Sequence, residues 1–351
     1  MSIKKQSFGK TKEGAEATLF TLKNKNGMSV SFTDFGANIV TVIVPDKNGS
    51  FDDVVLGYDD VTGYESNSPG FGSFIGRHAN RIGGASFELN GRKYELEKND
   101  GQNNLHSGFK GYNKFIYEAE IFEDEDSDSV EFSRLSPHME QGFPGNLDIS
   151  VTYTLTDDNE LVVEYLAVSD KDTIVNLTNH SYFNLAGHKS GSILEQMVML
   201  DADKFTPTDD ALIPTGEIVD VTGTPMDFRK LKQLGQEIRA NYGPLEQAGG
   251  YDHNYVLNTN GSEVEKIGEL ADEKSGRLME IFTNMPGIQL YTGNFLNGVT
   301  GKDGFTYQKH AGVCFETQYF PDSCNKPEFP SCVLKAGSEY NFVTVFKFSA
   351  K

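Results

Sequence analysis

The feature that most restricts the fold is a two-residue alternation of apolar and polar side chains, repeated along the chain. It is clear in Met28–Phe32 (MSVSF), Asn38–Val44 (NIVTVIV), Leu147–Leu155 (LDISVTYTL), Glu160–Val168 (ELVVEYLAV) and Glu339–Phe348 (EYNFVTVFKF). Successive side chains of a strand point to opposite faces, so this period describes strands with one face against a core. β-Branched and aromatic residues fill these runs and suit a pleated, half-buried surface. Turn-forming clusters separate them at Asp46–Gly49, Asn90–Gly91, Asp157–Asn159 and Asn258–Gly261, the pattern of hairpins. A helical period is scarce. Its best example, Phe228–Arg239 (FRKLKQLGQEIR), contains Gly235. Without a series of βαβ units a doubly wound parallel sheet is excluded. The expected fold is all-β: a large antiparallel β-sandwich with few short helices. No linker rich in Pro, Gly or Ser and no internal repeat divides the 351 residues, so one domain over 1–351 is expected.

Composition narrows the function. The formal net charge of −20 opposes nucleic-acid binding, because phosphates would be repelled, and favours a neutral substrate. Only three cysteines are present (Cys314, Cys324 and Cys332), none in a CxxC pair, which fits reduced thiols better than a disulfide framework. No stretch has the apolar length that a bilayer requires, and no apolar run follows Lys4 and Lys5 as in a secretory signal. A cytoplasmic protein with no membrane association is expected, as a monomer or homodimer. The acidic run Glu123–Glu131 (EDEDSDSVE) lies between two strand-like segments and reads as a solvated hairpin loop; it lacks the Gly and terminal Glu of a Ca²⁺ loop.

Familiar motifs fail. Gly70-Phe-Gly72 is followed by Gly76, one residue too late for a dinucleotide fingerprint, and no helical pattern follows. There is no P-loop, HExxH or GxSxG. Of seven histidines only His180 and His188 are close in sequence, and eight residues is not a usual metal-ligand spacing.

Five segments concentrate reactive side chains. Gly76–Ile82 (GRHANRI) holds Arg77, His78, Asn80 and Arg81, which could donate to hydroxyls or to a developing oxyanion, or pair with the chain's many carboxylates. Asn103–Gly108 (NNLHSG) places His106 in a loop-like setting. In Asn176–Leu185 (NLTNHSYFNL), His180 ends a strand-like run beside Ser181 and Tyr182, a setting for a general acid or for a hydrogen-bonded core histidine. Tyr251–Leu257 (YDHNYVL) offers Asp252, a hydroxyl acceptor or a turn residue. Val313–Asp322 (VCFETQYFPD) puts Glu316 inside an apolar strand, where a carboxylate is either paired or tuned for proton transfer.

Taken together and in this order, GRHANRI, NNLHSG, NHSYFNL, YDHNYVL, GIQLYTGN and FETQYFPDS resemble the aldose 1-epimerase (galactose mutarotase) family over essentially the whole chain. The resemblance implies a galactose mutarotase-like β-sandwich with the sugar in an open cleft. It implies that Asn80 and Arg81 contact the sugar, that His106 lies beside the ring oxygen, and that His180 is the proton donor with Ser181 and Tyr182 next to the substrate. It makes Asp252 and Gln289 sugar contacts and Glu316 the base. Two departures stand out: LHSG replaces the family's usual LHGG, adding the side chain of Ser107, and the chain has no Trp.

The implied reaction interconverts the α and β anomers of a free hexose such as D-galactose or D-glucose. Glu316 removes the anomeric hydroxyl proton while His180 protonates the ring oxygen, the C1–C2 bond rotates, and the ring recloses. Arg81 and His106 could stabilise the aldehyde oxygen. This scheme calls for an ionised Glu316, a protonated His180, and neither cofactor nor metal. Three alternatives stay open: a glycoside hydrolase using Glu316 and Asp252, a sugar-phosphate mutarotase, and a non-catalytic sugar-binding module.

Overall fold

In the computed structural model, which describes residues 2–351, strands dominate and their ladders are antiparallel. The α-helices among the described residues are two six-residue segments, Val61–Ser66 and Gly243–Ala248. The first five strands, from Ser2–Lys10 to Phe51–Asp53, form a sheet in sequence order. A nine-stranded sheet has at its centre Leu147–Thr156, Glu160–Ser169, Glu339–Ala350 and Arg277–Thr283. Its alternation is the one expected: Leu161, Val163, Tyr165 and Ala167 are buried, whereas Glu164, Leu166 and Val168 are exposed. The two sheets meet through aromatic contacts. Phe32 stacks on Tyr153 at 4.5 Å between ring centres, and Phe20 meets Phe132 edge-on at 5.5 Å. Such pairs contribute about 1 kcal/mol each beyond the area they bury. The Tyr153 hydroxyl donates to the Ala37 carbonyl (2.7 Å), so its polar end is satisfied inside the core.

A second five-stranded sheet carries the chemistry. Its order is Val219–Asp220, Lys204–Phe205, Asp252–Val256, Gly287–Tyr291 and Cys314–Gln318. Register sets Asn254 opposite Gln289, Gln289 opposite Glu316, and Tyr291 opposite both Asp252 and Cys314. The two-residue period then sorts the side chains. Tyr255, Ile288, Leu290 and Phe315 join the main apolar core. Asp252, Gln289, Tyr291, Cys314 and Glu316 share the opposite face.

The most helix-like stretch, Phe228–Arg239, forms no helix; it contributes only the short strand Lys232–Gln233. Its backbone donors bond sideways instead of along a helix: Leu234 N–H to Gln196 O (3.0 Å) and Gly235 N–H to Leu194 O (2.8 Å). A Cβ at Gly235 would stand 2.8 Å from that Leu194 oxygen, so glycine is what permits the close approach. Of the acidic run only Asp124–Asp126 form the tip of the hairpin joining Glu118–Glu123 to Ser127–Ser136; the rest lies in its strands, where Asp128 and Val130 are buried rather than solvated.

Candidate active site

The polar face of the second five-stranded sheet opens into a cavity of about 780 Å³. Asn80, Arg81, His106, His180, Tyr182, Asp252 and Glu316 all line it. Residues scattered over more than two hundred positions therefore converge, and each arrives by a local rule.

His180 ends the strand Thr178–His180, which pairs with Ser73–Ile75, His180 opposite Ser73. The His180 carbonyl accepts from Gly72 N–H (3.1 Å), while the Gly72 carbonyl accepts from Ile39 N–H (2.9 Å). Gly72 has φ of +67°, and a Cβ there would fall 1.9 Å from the Ile39 oxygen, so only glycine lets the histidine strand lie this close to the first sheet. His180 Nε2 faces Glu316 Oε1 at 3.6 Å. Both residues are nearly enclosed, and Glu316 Oε2 has no hydrogen-bond partner.

The ladder Arg81–Ile82 with Asn104–Leu105 joins the GRHANRI and NNLHSG segments. Beyond it the two clasp each other: His106 N–H donates to Asn80 O (3.1 Å), and Asn80 N–H donates to His106 Nδ1 (3.1 Å). Asn80 (φ +61°), His106 (φ +51°) and Ser107 (φ +69°) all adopt left-handed backbone, a local cost of order 1–3 kcal/mol per residue that is often met at functional sites. Ser107 occupies a conformation that favours glycine. Its hydroxyl accepts from His78 N–H (2.8 Å) and lies 3.3 Å from His78 O, so the added side chain turns away from the cavity and fastens the loop.

Arg81 donates through Nε to Asp100 (2.7 Å) and stands 3.9 Å from Asp252. Asp252 also accepts from Gln289 Nε2 (2.7 Å). Two residues expected at the sugar do not line the cavity. Gln289 is buried and orients Asp252; the Ser181 hydroxyl donates to Asn179 Oδ1 (2.6 Å). Tyr182 presents its ring, while its hydroxyl donates to Pro69 O (2.8 Å). Arg77 is fully buried and donates to the carbonyls of Ser136, Pro144 and Gly145, a structural role.

Burial governs the electrostatics. It lowers the His180 pKa to about 4 and pushes the Glu316 carboxyl well above its usual range, the nearby Asp252 adding to the rise and Arg81 opposing it. Asp252 is raised for the same primary reason, against Arg81 and the Gln289 hydrogen bond. These directions differ from the expected ionised Glu316 beside a protonated His180: desolvation outweighs the attraction between the two.

His106, His180 and Glu316 bring one potential ligand atom each to within 4.8 Å of the others. His106 nonetheless makes a poor metal ligand. Burial keeps it neutral, and its Nδ1 lone pair accepts from Asn80, so the proton is on Nε2. It therefore offers the cavity a donor, suited to an oxygen atom.

The sequence did not single out Phe109 and Phe295, 71% and 63% exposed, which line the same cavity. Exposed phenylalanines in loops carry no period that marks them.

The family model for aldose 1-epimerase matches residues 18–347. The chain belongs to the aldose 1-epimerase family. It is 43% identical to galactose mutarotase of Bos taurus, with 99% of each chain covered. It is 39% identical to aldose 1-epimerase of Haemophilus influenzae, covering 96% of this chain and 97% of the other. Among solved structures, galactose 1-epimerase from Lactobacillus acidophilus superposes with a TM-score of 0.87 at 25% identity, with 99% of each chain covered. This epimerase is thus an isomerase with the galactose mutarotase-like β-sandwich.

Proposed function

We propose that this epimerase interconverts the α and β anomers of free hexoses such as D-galactose and D-glucose, with His180 and Glu316 as its acid–base pair. The observation that carries this reading is their approach to 3.6 Å at the wall of a cavity also lined by Arg81, His106 and Asp252. The names of the relatives support the substrate class. The proposal extends to a single catalytic domain over 1–351, working in the cytoplasm as a monomer or homodimer.

Glu316 takes the proton of the anomeric hydroxyl as His180 gives one to the ring oxygen. The C1–O5 electron pair goes to that oxygen, C1 becomes an aldehyde carbon, and rotation about C1–C2 presents its other face. Closure runs the transfers backwards. Asn80, Arg81 and Asp252 bind hydroxyls, and the Nε2 proton of His106 supports the ring or aldehyde oxygen.

The pair carries one proton throughout. Ring opening converts carboxylate and imidazolium into carboxylic acid and neutral imidazole, the uncharged form that burial favours at both residues. Opening is thereby helped by the low-polarity site, and closure must recreate charge. Activity should consequently follow a bell in pH. It falls on the acid side as a second proton reaches the pair, near the His180 value of about 4. On the alkaline side it falls as the single proton is lost, above the ordinary carboxylate range. A flat pH profile for kcat/KM would count against the pair.

Polarimetry of freshly dissolved α-D-galactose and α-D-glucose tests the activity. Accelerated mutarotation is expected, with no reducing sugar released from methyl galactosides and no preference for glucose 6-phosphate. Absence of acceleration for every free aldose tried would refute the reading.

A further inference from the structure

The imidazole of His180 has a second neighbour besides Glu316. Cys314 Sγ lies 3.5 Å from Nδ1, on the side of the ring away from Glu316. Cys314 and Glu316 are two residues apart on the strand Cys314–Gln318, so they project from the same face. One strand thus touches both nitrogens of the ring. Cys314 is completely buried and Glu316 nearly so. Apart from its own backbone, which favours the protonated ring, the other groups around the imidazole do not hold it by hydrogen bonds. Tyr182, Tyr291 and His106 approach with ring centres 5.1, 6.0 and 5.5 Å away. The Tyr182 hydroxyl donates to Pro69 O, the Tyr291 hydroxyl accepts from Phe295 N–H, and His106 Nδ1 accepts from Asn80 N–H.

We propose that Cys314 is a positioning residue for the mutarotation reaction: its thiol partners His180 Nδ1 in both protonation states, keeping Nε2 aimed at Glu316 and the sugar. The inference rests on the reading of His180 as the proton donor. A thiol is at once a weak donor and a weak acceptor. With the neutral imidazole left once Nε2 has given up its proton, Nδ1–H still donates to the sulfur, so Nε2 stays bare and can take the proton back at closure. With imidazolium, Nδ1–H donates to the sulfur lone pair and Nε2–H is free to reach the ring oxygen. Each turnover moves His180 through both states, so its partner must serve both. A carboxylate would favour imidazolium and oppose release of the proton to the ring oxygen. Burial holds the Cys314 thiol protonated, with the negative field of Glu316 and Asp252 acting in the same direction. Its role is therefore that of a neutral hydrogen-bonding group rather than a nucleophile.

The test compares Cys314→Ala, Cys314→Ser and His180→Asn in the full chain, by polarimetric kcat and KM and by nitrogen NMR of the histidine rings. Glu316, Asp252, Arg81, His106, Tyr182 and Tyr291 are unchanged in the two cysteine variants, so altered titration reports on the Cys314 contact. Loss of one modest hydrogen bond corresponds to about a 3- to 10-fold fall in kcat. Cys314→Ala should show that fall at unchanged KM, with neutral His180 divided between its two tautomers. Cys314→Ser should restore most of kcat and the Nδ1–H tautomer. The proposal is overturned if Cys314→Ala keeps both kcat and the Nδ1–H form, or if Cys314→Ser, folded by circular dichroism, shows the same mixed tautomers as alanine. His180→Asn separates the two levels: mutarotation at the wild-type rate in that variant would sink the parent reading, while the NMR comparison still judges the contact.

Discussion

The nine-stranded sheet and the sheet that carries Glu316 obey the same two-residue period with opposite results. In the former, one face meets the core and the other meets water, so Glu164 is exposed and needs no partner. In the latter both faces are enclosed. The three strands Asp252–Val256, Gly287–Tyr291 and Cys314–Gln318 are buried almost throughout, yet one face is polar. A polar group out of water costs free energy unless it is paired. Asp252 has Gln289 and Arg81; Glu316 Oε2 has nothing. The difference teaches where binding capacity resides: in the unmet hydrogen bonds of the enclosed sheet, which a sugar hydroxyl can meet.

The comparison can be broken most severely at its centre. Glu316→Gln should lower kcat by about 10²–10⁴-fold in polarimetry with an unchanged circular dichroism spectrum, whereas Glu164→Gln on the solvated face should leave kcat alone. Equal effects would erase the distinction. Next in size is a purely structural change. Leu155→Ala, in the buried row of the nine-stranded sheet, should cost about 2–5 kcal/mol in denaturant unfolding and leave kcat of the folded protein intact. Smaller again is Gln289→Leu. Asp252 then loses its amide partner, and kcat/KM should fall about tenfold.

The smallest effect runs the other way. The folded Glu316 carboxyl keeps its proton above the pH at which the unfolded chain releases it. Stability is therefore lost as pH rises from the ordinary carboxylate range through the folded value. Glu316→Gln removes that loss and should raise stability by about 1 kcal/mol at neutral pH, measured as a higher Tm. A lower Tm there would show that the carboxylate is well accommodated.

Much of this was legible in the amino-acid order, because strand period and turn chemistry are local. The alternation in Leu147–Leu155 and Glu160–Val168 marks strands of the nine-stranded sheet. Glu316 announced itself as a carboxylate in an apolar strand. His180 and His106 were each ambiguous alone, and only the set of motifs joined them. Cys314 could not be read, since a cysteine among apolar residues looks like any small core side chain. Ser181 and Gln289 were placed at the sugar by the resemblance alone; that their side chains turn to Asn179 and Asp252 depends on packing that the sequence does not display. The proton preference of the His180–Glu316 pair was also hidden, for desolvation depends on atoms brought from other strands. In Phe228–Arg239, a helical period yielded to hydrogen bonds with the Leu194–Gln196 segment.

One tie described by its neighbours has a bearing on how the molecule is made. Arg81 is held from behind: its carbonyl accepts from Asp322 N–H (2.9 Å), and Asp322 Oδ1 accepts from Gly83 N–H (2.9 Å), a link between residues 239 apart in sequence. Glu316 and Cys314 come from the same late part of the chain. During synthesis the early hairpins can pair while the catalytic cavity still lacks its last strand. Contacts of such long sequence separation form slowly. Nascent chains ending before Cys314 lack the central strand Glu339–Ala350 of the nine-stranded sheet as well and should be inactive, and activity should emerge late and abruptly in refolding.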